Sequence, residues 1–383
     1  MPNSKNYIEE FGGVSFAERP FCDADALALC EVFYMPLELV VSSSFDAEPV
    51  NFSDACNELF DIRGNKHAAL GLMISKTPSI RLMQMAASER FSEIKVVAVN
   101  EVYSKEPAIQ YCAGTFLLPG GDIVIVYRGT DDSIAGWKED LDMMVRQGTP
   151  AYDLALDYFS KAAEKFSGNI YVCGHSKGGN IALRTAIKCP DEIRKRIVSV
   201  YNYDGPGYYN FHLFNTPAYA ELLPGYKHFV PSSSLIGMML CHDYDYKAVK
   251  SSRLTGAFQH DLGTWQIKDG ELVIAPDISL MAKLTDAWLA GMVDGLSTVS
   301  SAAMDKVVTA ITEGTGVETL YALVHNFRSA VGGAVAAYRN IDPETKAAFK
   351  EAFNGAGKLL IDSFKAVRDH TFNRAAEIVL EKI

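Results

Sequence analysis

The segment YVCGHSKGGN, residues 171–180, constrains the fold more than any other part of the chain. It contains the pentapeptide Gly-His-Ser-Lys-Gly, in which the serine is exposed on a sharp turn only when a strand leads in and a helix leads out. The preceding run NIYVC is apolar and short, as a buried parallel strand would be. The following run IALRTAIKC is rich in helix formers and stops at Pro190. The sequence therefore predicts a strand, a tight turn at Ser176 and a helix.

Strands and helices are also predicted on both sides of this turn. Apolar, β-branched and aromatic runs predict strands at 94–103, 109–118, 122–129, 197–204, 225–233 and 246–252. The turn Pro119-Gly120-Gly121 predicts a hairpin, and apolar residues spaced by three and four predict a helix over 151–166. Since strands alternate with helices, we expect an α/β fold with a mostly parallel central sheet flanked by helices.

The two ends of the chain have a helical pattern. Helix-like spacing between residues 20 and 90 predicts an N-terminal helical prelude, residues 1–93, within a domain that spans 1–280. Beyond about residue 280 strand signals disappear, which predicts a C-terminal helical extension over 281–383. One face of its last helix carries Leu360, Phe364 and Val367. We expect that face to pack on the domain or to form a lid, with peripheral membrane contact as the alternative.

Composition excludes several classes of function. The net charge of -11 argues against a nucleic-acid partner. The seven cysteines are scattered without metal-binding spacing, so they are expected to be free thiols. The N-terminus has no apolar signal segment, and no run approaches the roughly 20 apolar residues of a membrane span. We therefore expect a bacterial-type cytoplasmic protein, with signal-independent export as the alternative.

A serine hydroxyl needs a base and an acid to become a nucleophile. His260, in GAFQHDLGTW, follows the strand at 246–252 by one loop and is the preferred base, with His242 as second choice. Asp204 ends the strand IVSVYNYD at the same sheet edge as Ser176 and is the preferred acid, with Asp243 in reserve. The alternative interpretations are a structural turn serine, a structural histidine and a loop-capping aspartate.

The reaction would also need donors for an oxyanion. The first candidate is the backbone N–H of Lys177, which directly follows the serine. The second comes from the loop Arg128-Gly129-Thr130, which directly follows the apolar run DIVIVY of the predicted strand.

Several segments resemble a known family. VYRGT, then GWKEDL, then YVCGHSKGGN are similar to the class 3 lipase pattern of an Arg-Gly-Thr/Ser block, a downstream Trp and Asp, and Gly-His-Ser-Leu-Gly-Gly. RGTDDSIAGWKEDLDM, CGHSKGGNIA, YDGPGY and QHDLGTWQI further resemble a bacterial serine hydrolase family within that superfamily, as does the opening PFCDADALALCEVFY. The resemblance covers most of residues 7–270.

The resemblance implies an α/β-hydrolase fold and a serine hydrolase of small-molecule or lipid esters that requires no metal or organic cofactor. It assigns Ser176 as nucleophile, His260 as base, and Thr130 and Lys177 as the oxyanion hole. Arg128 and Asp140 match the family's Arg and Asp positions, so we expect them to pair and fix the oxyanion loop, with a solvated surface pair as the alternative.

The chain departs from the class 3 lipase pattern at two places. Lipases carry leucine where this chain has Lys177, which predicts a charge at the mouth of the site, either solvated or facing an anionic head group. They also place the acid after a later strand, where this chain reads HFVPSSSLIG without a carboxylate. That absence favours Asp204. The alternative functions are a phospholipase A1 or lysophospholipase effector, and a catalytically idle scaffold that binds a protein or membrane partner.

Overall fold

A computed structural model describes residues 1–63, 75–131, 133–145, 148–243, 245–254 and 256–279, with five isolated positions at 282, 283, 343, 346 and 347. Residues Met1–Ile278 lie within one of the two compact units of the chain. The predicted extension 281–383 and its apolar face lie almost entirely outside the described residues and stay a prediction.

The N-terminal part is helical, as its spacing predicted. Its helices are α1 (Ser4–Phe11), α2 (Asp23–Val32), α3 (Phe52–Arg63), α4 (Thr77–Ala86) and α5 (Glu89–Ser92), with a 3₁₀ turn at Leu37–Leu39. Local capping explains where two of them begin. The Asn3 side chain accepts from the Lys5 N–H at the start of α1, and Ser88 caps α5 by accepting from the Phe91 N–H.

The central sheet has eight strands among the described residues. They are β1 (Val50–Asn51), β2 (Lys95–Ser104), β3 (Ile109–Leu117), β4 (Ile123–Tyr127), β5 (Ile170–His175), β6 (Ile197–Tyr203), β7 (Tyr226–Pro231) and β8 (Tyr246–Val249). Strand order in the sheet follows chain order. Pairings from β1 to β4 are antiparallel, and those from β4 to β8 are parallel. The predicted α/β fold with a mostly parallel sheet is confirmed.

Helices connect the parallel strands. They are α6 (Ile134–Val145) and α7 (Pro150–Lys165) before β5, α8 (Lys177–Lys188) and α9 (Asp191–Arg194) before β6, α10 (Pro217–Leu222) with a 3₁₀ turn at Leu223–Gly225 before β7, and α11 (Gly256–Gln259) with a 3₁₀ turn at Leu262–Thr264 after β8. A small hairpin, β9 (Ile267–Lys268) and β10 (Glu271–Leu272), follows. Its turn residues Asp269 and Gly270 both have positive φ, the conformation that an Asp-Gly turn favours.

The sheet separates two cores. Because parallel strands that follow one another in order are joined by right-handed crossovers, the connecting helices gather on one face. There α7, α8 and α10 pack on side chains such as Ile125, Val172 and Val200. The opposite face, including Val126 and Tyr203, is covered by the N-terminal helices. The helical prelude is therefore the cover that the strand order requires.

No helix among the described residues is both long enough and apolar enough to cross a membrane.

Candidate active site

The turn between β5 and α8 places Ser176 in a strained conformation. Ser176 has φ 57° and ψ −132°, a backbone conformation that residues other than glycine rarely adopt. The flanking glycines allow close packing: a Cβ on Gly174 would lie 2.2 Å from the Gly178 carbonyl carbon, and one on Gly178 would lie 2.1 Å from the Tyr127 oxygen. The sequence therefore folds into the predicted strand, tight turn and helix, with the serine at the helix N-terminus.

His260 and Asp204 form a buried pair at the same sheet edge. The distance from His260 Nδ1 to Asp204 Oδ2 is 2.7 Å. Since a carboxylate only accepts, Nδ1 carries the proton and Nε2 is the basic nitrogen of the neutral ring. The structure brings together the base and the acid that the sequence favoured.

The other oxygen of Asp204 is held by the loop after β7. Asp204 Oδ1 accepts from the Ser234 hydroxyl at 2.5 Å and from the Gly237 N–H at 3.0 Å. Both donors lie in HFVPSSSLIG, the segment in which class 3 lipases would carry the acid. Because β6 and β7 are parallel neighbours, an acid after either strand reaches the same edge. The loop here supplies donors to the carboxylate in place of the carboxylate itself.

Backbone contacts join the serine to this pair. The Ser176 N–H donates to the carbonyl of Tyr203, the residue before Asp204, at 2.9 Å. His175, the residue before Ser176, has its Nε2 2.8 Å from the His260 carbonyl oxygen. The ring centroids of His175 and His260 lie 4.3 Å apart. Ser176, Asp204 and His260 are therefore neighbours, although they come from three separate parts of the chain.

His175 and Tyr34 are site residues that the sequence reasoning missed. The His260 carbonyl oxygen can only accept, so His175 Nε2 donates to it. In the neutral ring Nδ1 then accepts from the Tyr34 hydroxyl, which lies 2.7 Å away. Burial, followed by the nearby His260, lowers the pKa of His175 well below its ordinary value. His175 is thus neutral and fixes the backbone of the His260 loop. No local signal marks Tyr34, which reaches the site from the helical prelude.

The loop after β4 lies against the serine. A Cβ on Gly129 would lie 3.0 Å from Ser176 Cβ and 2.1 Å from the Tyr34 hydroxyl, so glycine is needed there. The next residue, Thr130, donates its hydroxyl to both oxygens of Asp140, at 2.8 and 2.7 Å. Burial raises the pKa of Asp140 to about 6, against the opposing effects of the Lys177 charge and of the Thr130 hydrogen bond. Asp140 therefore anchors the predicted oxyanion loop.

The predicted pairing of Arg128 with Asp140 is wrong. The Arg128 guanidinium forms ion pairs with Glu38 at 2.6 Å and Glu101 at 3.1 Å, and donates to the carbonyl oxygens of Phe33 and Met35. These partners join the prelude to the sheet. The buried guanidinium of Arg128 is already paired with two other carboxylates, and this is why it does not pair with Asp140.

The predicted position of Lys177 at the mouth of the site is also wrong. Its side chain is 1% exposed, and its Nζ donates to Glu139 at 2.7 Å and to two oxygens of Gln110. The backbone N–H of Lys177 belongs to the first helical turn, where N–H groups have no intrahelical partner. The side chain is buried, while the amide is the one the sequence proposed as an oxyanion donor.

The reserve residues lie elsewhere. Asp243 Oδ2 lies 3.2 Å from His228 Nδ1 and accepts from the Tyr226 hydroxyl at 3.0 Å. His242 Nδ1 lies 3.1 Å from the Leu240 carbonyl oxygen. Among the described residues, no group of three or more His, Cys, Asp or Glu side chains is placed to hold a metal ion.

A family model described as Mbeg1-like matches residues 85–310, more than half of the chain. No curated protein matches the chain.

Solved structures give weaker likenesses. The Rhizomucor miehei lipase propeptide complex, in a deletion mutant, is 13% identical with a TM-score of 0.36 and covers 61% of this chain and 78% of its own. A fungal lipase–inhibitor complex described as a model for interfacial activation is 16% identical with a TM-score of 0.30, and covers 61% of this chain and 90% of its own.

Proposed function

Since the chain belongs to the Mbeg1-like family, which is of the class 3 lipase-like type, we propose that it is a serine hydrolase that cleaves carboxyl esters. The observation that carries this proposal is the buried 2.7 Å hydrogen bond between His260 and Asp204, at the same sheet edge as Ser176. A strained, glycine-flanked serine next to an aspartate-oriented imidazole is the arrangement that activates a hydroxyl for acyl transfer.

In the proposed reaction, the Ser176 oxygen attacks the ester carbonyl carbon while His260 Nε2 accepts the hydroxyl proton. The carbonyl oxygen becomes an oxyanion, which the backbone N–H groups of Thr130 and Lys177 stabilise. The histidine then protonates the leaving alcohol as the carbon–oxygen bond breaks. A water molecule attacks the resulting acyl-enzyme by the same route, which releases the acid and restores Ser176.

The electrostatics of the described residues favour this sequence of proton transfers. As His260 becomes positively charged, the ionised Asp204 stabilises the imidazolium, and Ser234 and Gly237 keep the carboxylate oriented. The neighbouring His175 remains uncharged because its pKa is lowered by burial and by His260. The charge that forms on His260 therefore meets an anion on one side and a neutral ring on the other.

The test is covalent labelling with a fluorophosphonate probe, which reacts with activated serines. We expect wild type to be labelled, and Ser176→Ala and His260→Ala to lose labelling. Asp243→Asn, which alters a buried His–Asp pair that does not include His260, is the matched control and should label at the wild-type rate. A folded wild-type protein that is not labelled contradicts the proposal and favours the idle scaffold.

Hydrolysis rates on a panel of p-nitrophenyl esters of rising chain length, and on phospholipid substrates, would identify the ester that is cleaved. The proposed preference for an anionic head group rested on a charge at the site entrance. Because Lys177 is buried and ion-paired, it does not support a phospholipase over another esterase. Ester hydrolysis without a head-group requirement is therefore the function proposed.

A further inference from the structure

A buried ion pair lies directly behind the proposed nucleophile. Lys177 Nζ is 2.7 Å from Glu139 Oε2, and their side chains are 1% and 0% exposed. The ammonium group has three donors, and it has three acceptors here: Glu139, the Gln110 carbonyl oxygen at 2.6 Å and Gln110 Oε1 at 2.9 Å. We call Lys177 and Glu139 the elbow pair.

Both oxygens of the carboxylate also accept hydrogen bonds. Glu139 Oε2 accepts from the Gln110 N–H at 3.0 Å, and Oε1 accepts from the hydroxyl of Thr149. Gln110 lies on β3, Glu139 on α6, Thr149 at the N-cap of α7, and Lys177 at the start of α8. The elbow pair and its hydrogen-bond partners therefore join four elements at the start of α8, directly after Ser176.

Both proposed oxyanion donors depend on this pair. Lys177 carries one donor on its own backbone. The residue after Glu139 is Asp140, whose carboxylate holds Thr130, the carrier of the other donor. Close packing of α6 strengthens the link, since a Cβ on Gly136 would lie 2.8 Å from Thr130 Cγ2. The ion pair is therefore connected, through Lys177 itself and through Asp140, to both residues that carry the proposed donors.

Stability alone does not explain the pair. A buried ion pair is often no more stabilising than apolar side chains of the same volume, because both ions lose their hydration. The class 3 lipase pattern has leucine at this position. A lysine with a matched glutamate provides directional bonds in place of a leucine's non-directional contact.

We propose that the elbow pair is a positioning device that sets the oxyanion donors of Lys177 and Thr130 for the transition state. This inference rests on the proposed ester hydrolase function. Neither side chain touches substrate; both act through the backbone that they fix.

The test removes both charges at once, so that no unpaired ion is left buried. In Lys177→Met/Glu139→Gln, the new amide oxygen can still accept from Thr149. We expect kcat on a p-nitrophenyl ester to fall about tenfold to hundredfold, the cost of a donor displaced by about 1 Å. KM should stay within about twofold of wild type, because the lost contact acts in the transition state.

A matched control is the pair Arg90–Asp25, which is equally buried, at 2.6 Å, in the helical prelude. Arg90→Met/Asp25→Asn should leave kcat near wild type, however much stability it loses. Equal kcat losses in both double variants, or a raised KM with unchanged kcat in the elbow variant, would overturn the proposal. If the double variant does not fold, Glu139→Asp replaces it, since it keeps both charges but withdraws the carboxylate from Lys177 by one methylene, and an unchanged kcat then overturns the proposal.

A second measurement does not depend on catalysis. Hydrogen exchange of a peptide covering 126–131 should be about tenfold faster in the elbow variant than in wild type, because the helix that carries Asp140, the anchor of this loop, loses its own ion pair to α8. Unchanged exchange contradicts the inference, whether or not wild type hydrolyses esters. A wild type that does not react with the fluorophosphonate probe, with faster exchange in the variant, would contradict the proposed function and leave the positioning role supported.

Discussion

Two buried histidine–aspartate pairs occur among the described residues, and they differ in where they lie relative to the sheet. His260 and Asp204 both lie in loops beyond the carboxyl ends of strands, next to Ser176. His228 lies within β7, with Asn202 and Tyr246 as its register partners on the neighbouring strands. His228 has a strand on each side and its side chain is buried, so its aspartate is paired with a ring that projects from an interior strand.

The partners of the two carboxylates differ as well. Asp204 gives one oxygen to His260 and the other to Ser234 and Gly237. Asp243 uses a single oxygen for both His228 and Tyr226. The comparison teaches that the pairing of imidazole with carboxylate does not by itself identify a catalytic site. Only the pair proposed to be catalytic also lies at the sheet edge next to Ser176.

The largest expected difference is in turnover. Asp204→Asn should lower kcat by roughly 10³ to 10⁴, since an asparagine no longer holds the imidazole in the reactive tautomer. Asp243→Asn should leave kcat close to wild type. Steady-state kinetics on one p-nitrophenyl ester measures both. Similar losses in the two variants would remove the distinction between the pairs.

The second prediction concerns stability and its pH dependence. Burial alone would raise the pKa of Asp243, but the hydrogen bond and charge of His228, with the Tyr226 hydroxyl, outweigh it and lower the pKa. A carboxyl whose pKa is lower in the folded state stabilises the fold above the unfolded value of about 4, and this contribution is lost as pH falls through the folded pKa.

Asp243→Asn should therefore lower the free energy of unfolding by about 1.5 to 3 kcal/mol at pH 7, the range for hydrogen bonds to a charged group. The difference from wild type should shrink below about pH 4. Urea denaturation at pH 7 and at pH 3.5 measures it. A difference that is constant across both values would mean that the carboxylate charge does not stabilise the fold.

A smaller effect is expected at the support of Asp204. Ser234→Ala removes one of the two donors to Asp204 Oδ1 and should lower kcat about tenfold with KM unchanged, equivalent to about 1.4 kcal/mol in the barrier. Ser232→Ala, in the same loop, is the control, because its hydroxyl approaches Gln259 and not Asp204. If both alanines lower kcat equally, the effect belongs to the loop and not to the hydrogen bond.

The smallest effect is expected at Tyr226. Tyr226→Phe removes a donor to Asp243 and an acceptor for Asn202, and should lower the free energy of unfolding by about 1 kcal/mol. Turnover should not change, because this hydroxyl supports the pair inside the sheet. Thermal unfolding and ester kinetics on the same preparation would show whether stability and activity separate in this way.

Local sequence was enough to predict the serine turn and the place of Asp204 at the same sheet edge. The glycines around Ser176 and the flanking strand and helix are all encoded within about twenty residues. Asp204 could be predicted because it ends a strand, and the ends of neighbouring parallel strands meet at one edge. Catalytic roles for these residues stay predictions until the labelling and the kinetics are done.

Long-range partners could not be predicted. Glu139 lies 38 residues before Lys177, and Glu38 lies 90 residues before Arg128. Nothing near either basic residue indicates which carboxylate it meets, so the sequence predicts Lys177 at the mouth of the site, and the family pattern pairs Arg128 with Asp140. The contact of Ser234 with Asp204 could not be predicted either. In the sequence, HFVPSSSLIG differs from the class 3 lipase pattern by lacking a carboxylate, and nothing in it indicates that one of its hydroxyl groups donates to Asp204.

The agreement between chain order and strand order has a consequence for how the protein is made. As the chain leaves the ribosome, the N-terminal helices emerge first, and each later strand finds its sheet partner already synthesised at one growing edge. Ser176 and Asp204 emerge well before His260, which follows Asp204 by 56 residues and comes after β8. On the proposed mechanism, the nascent chain therefore carries an unactivated serine until the last strand of the central sheet has been synthesised, and acquires its base only then.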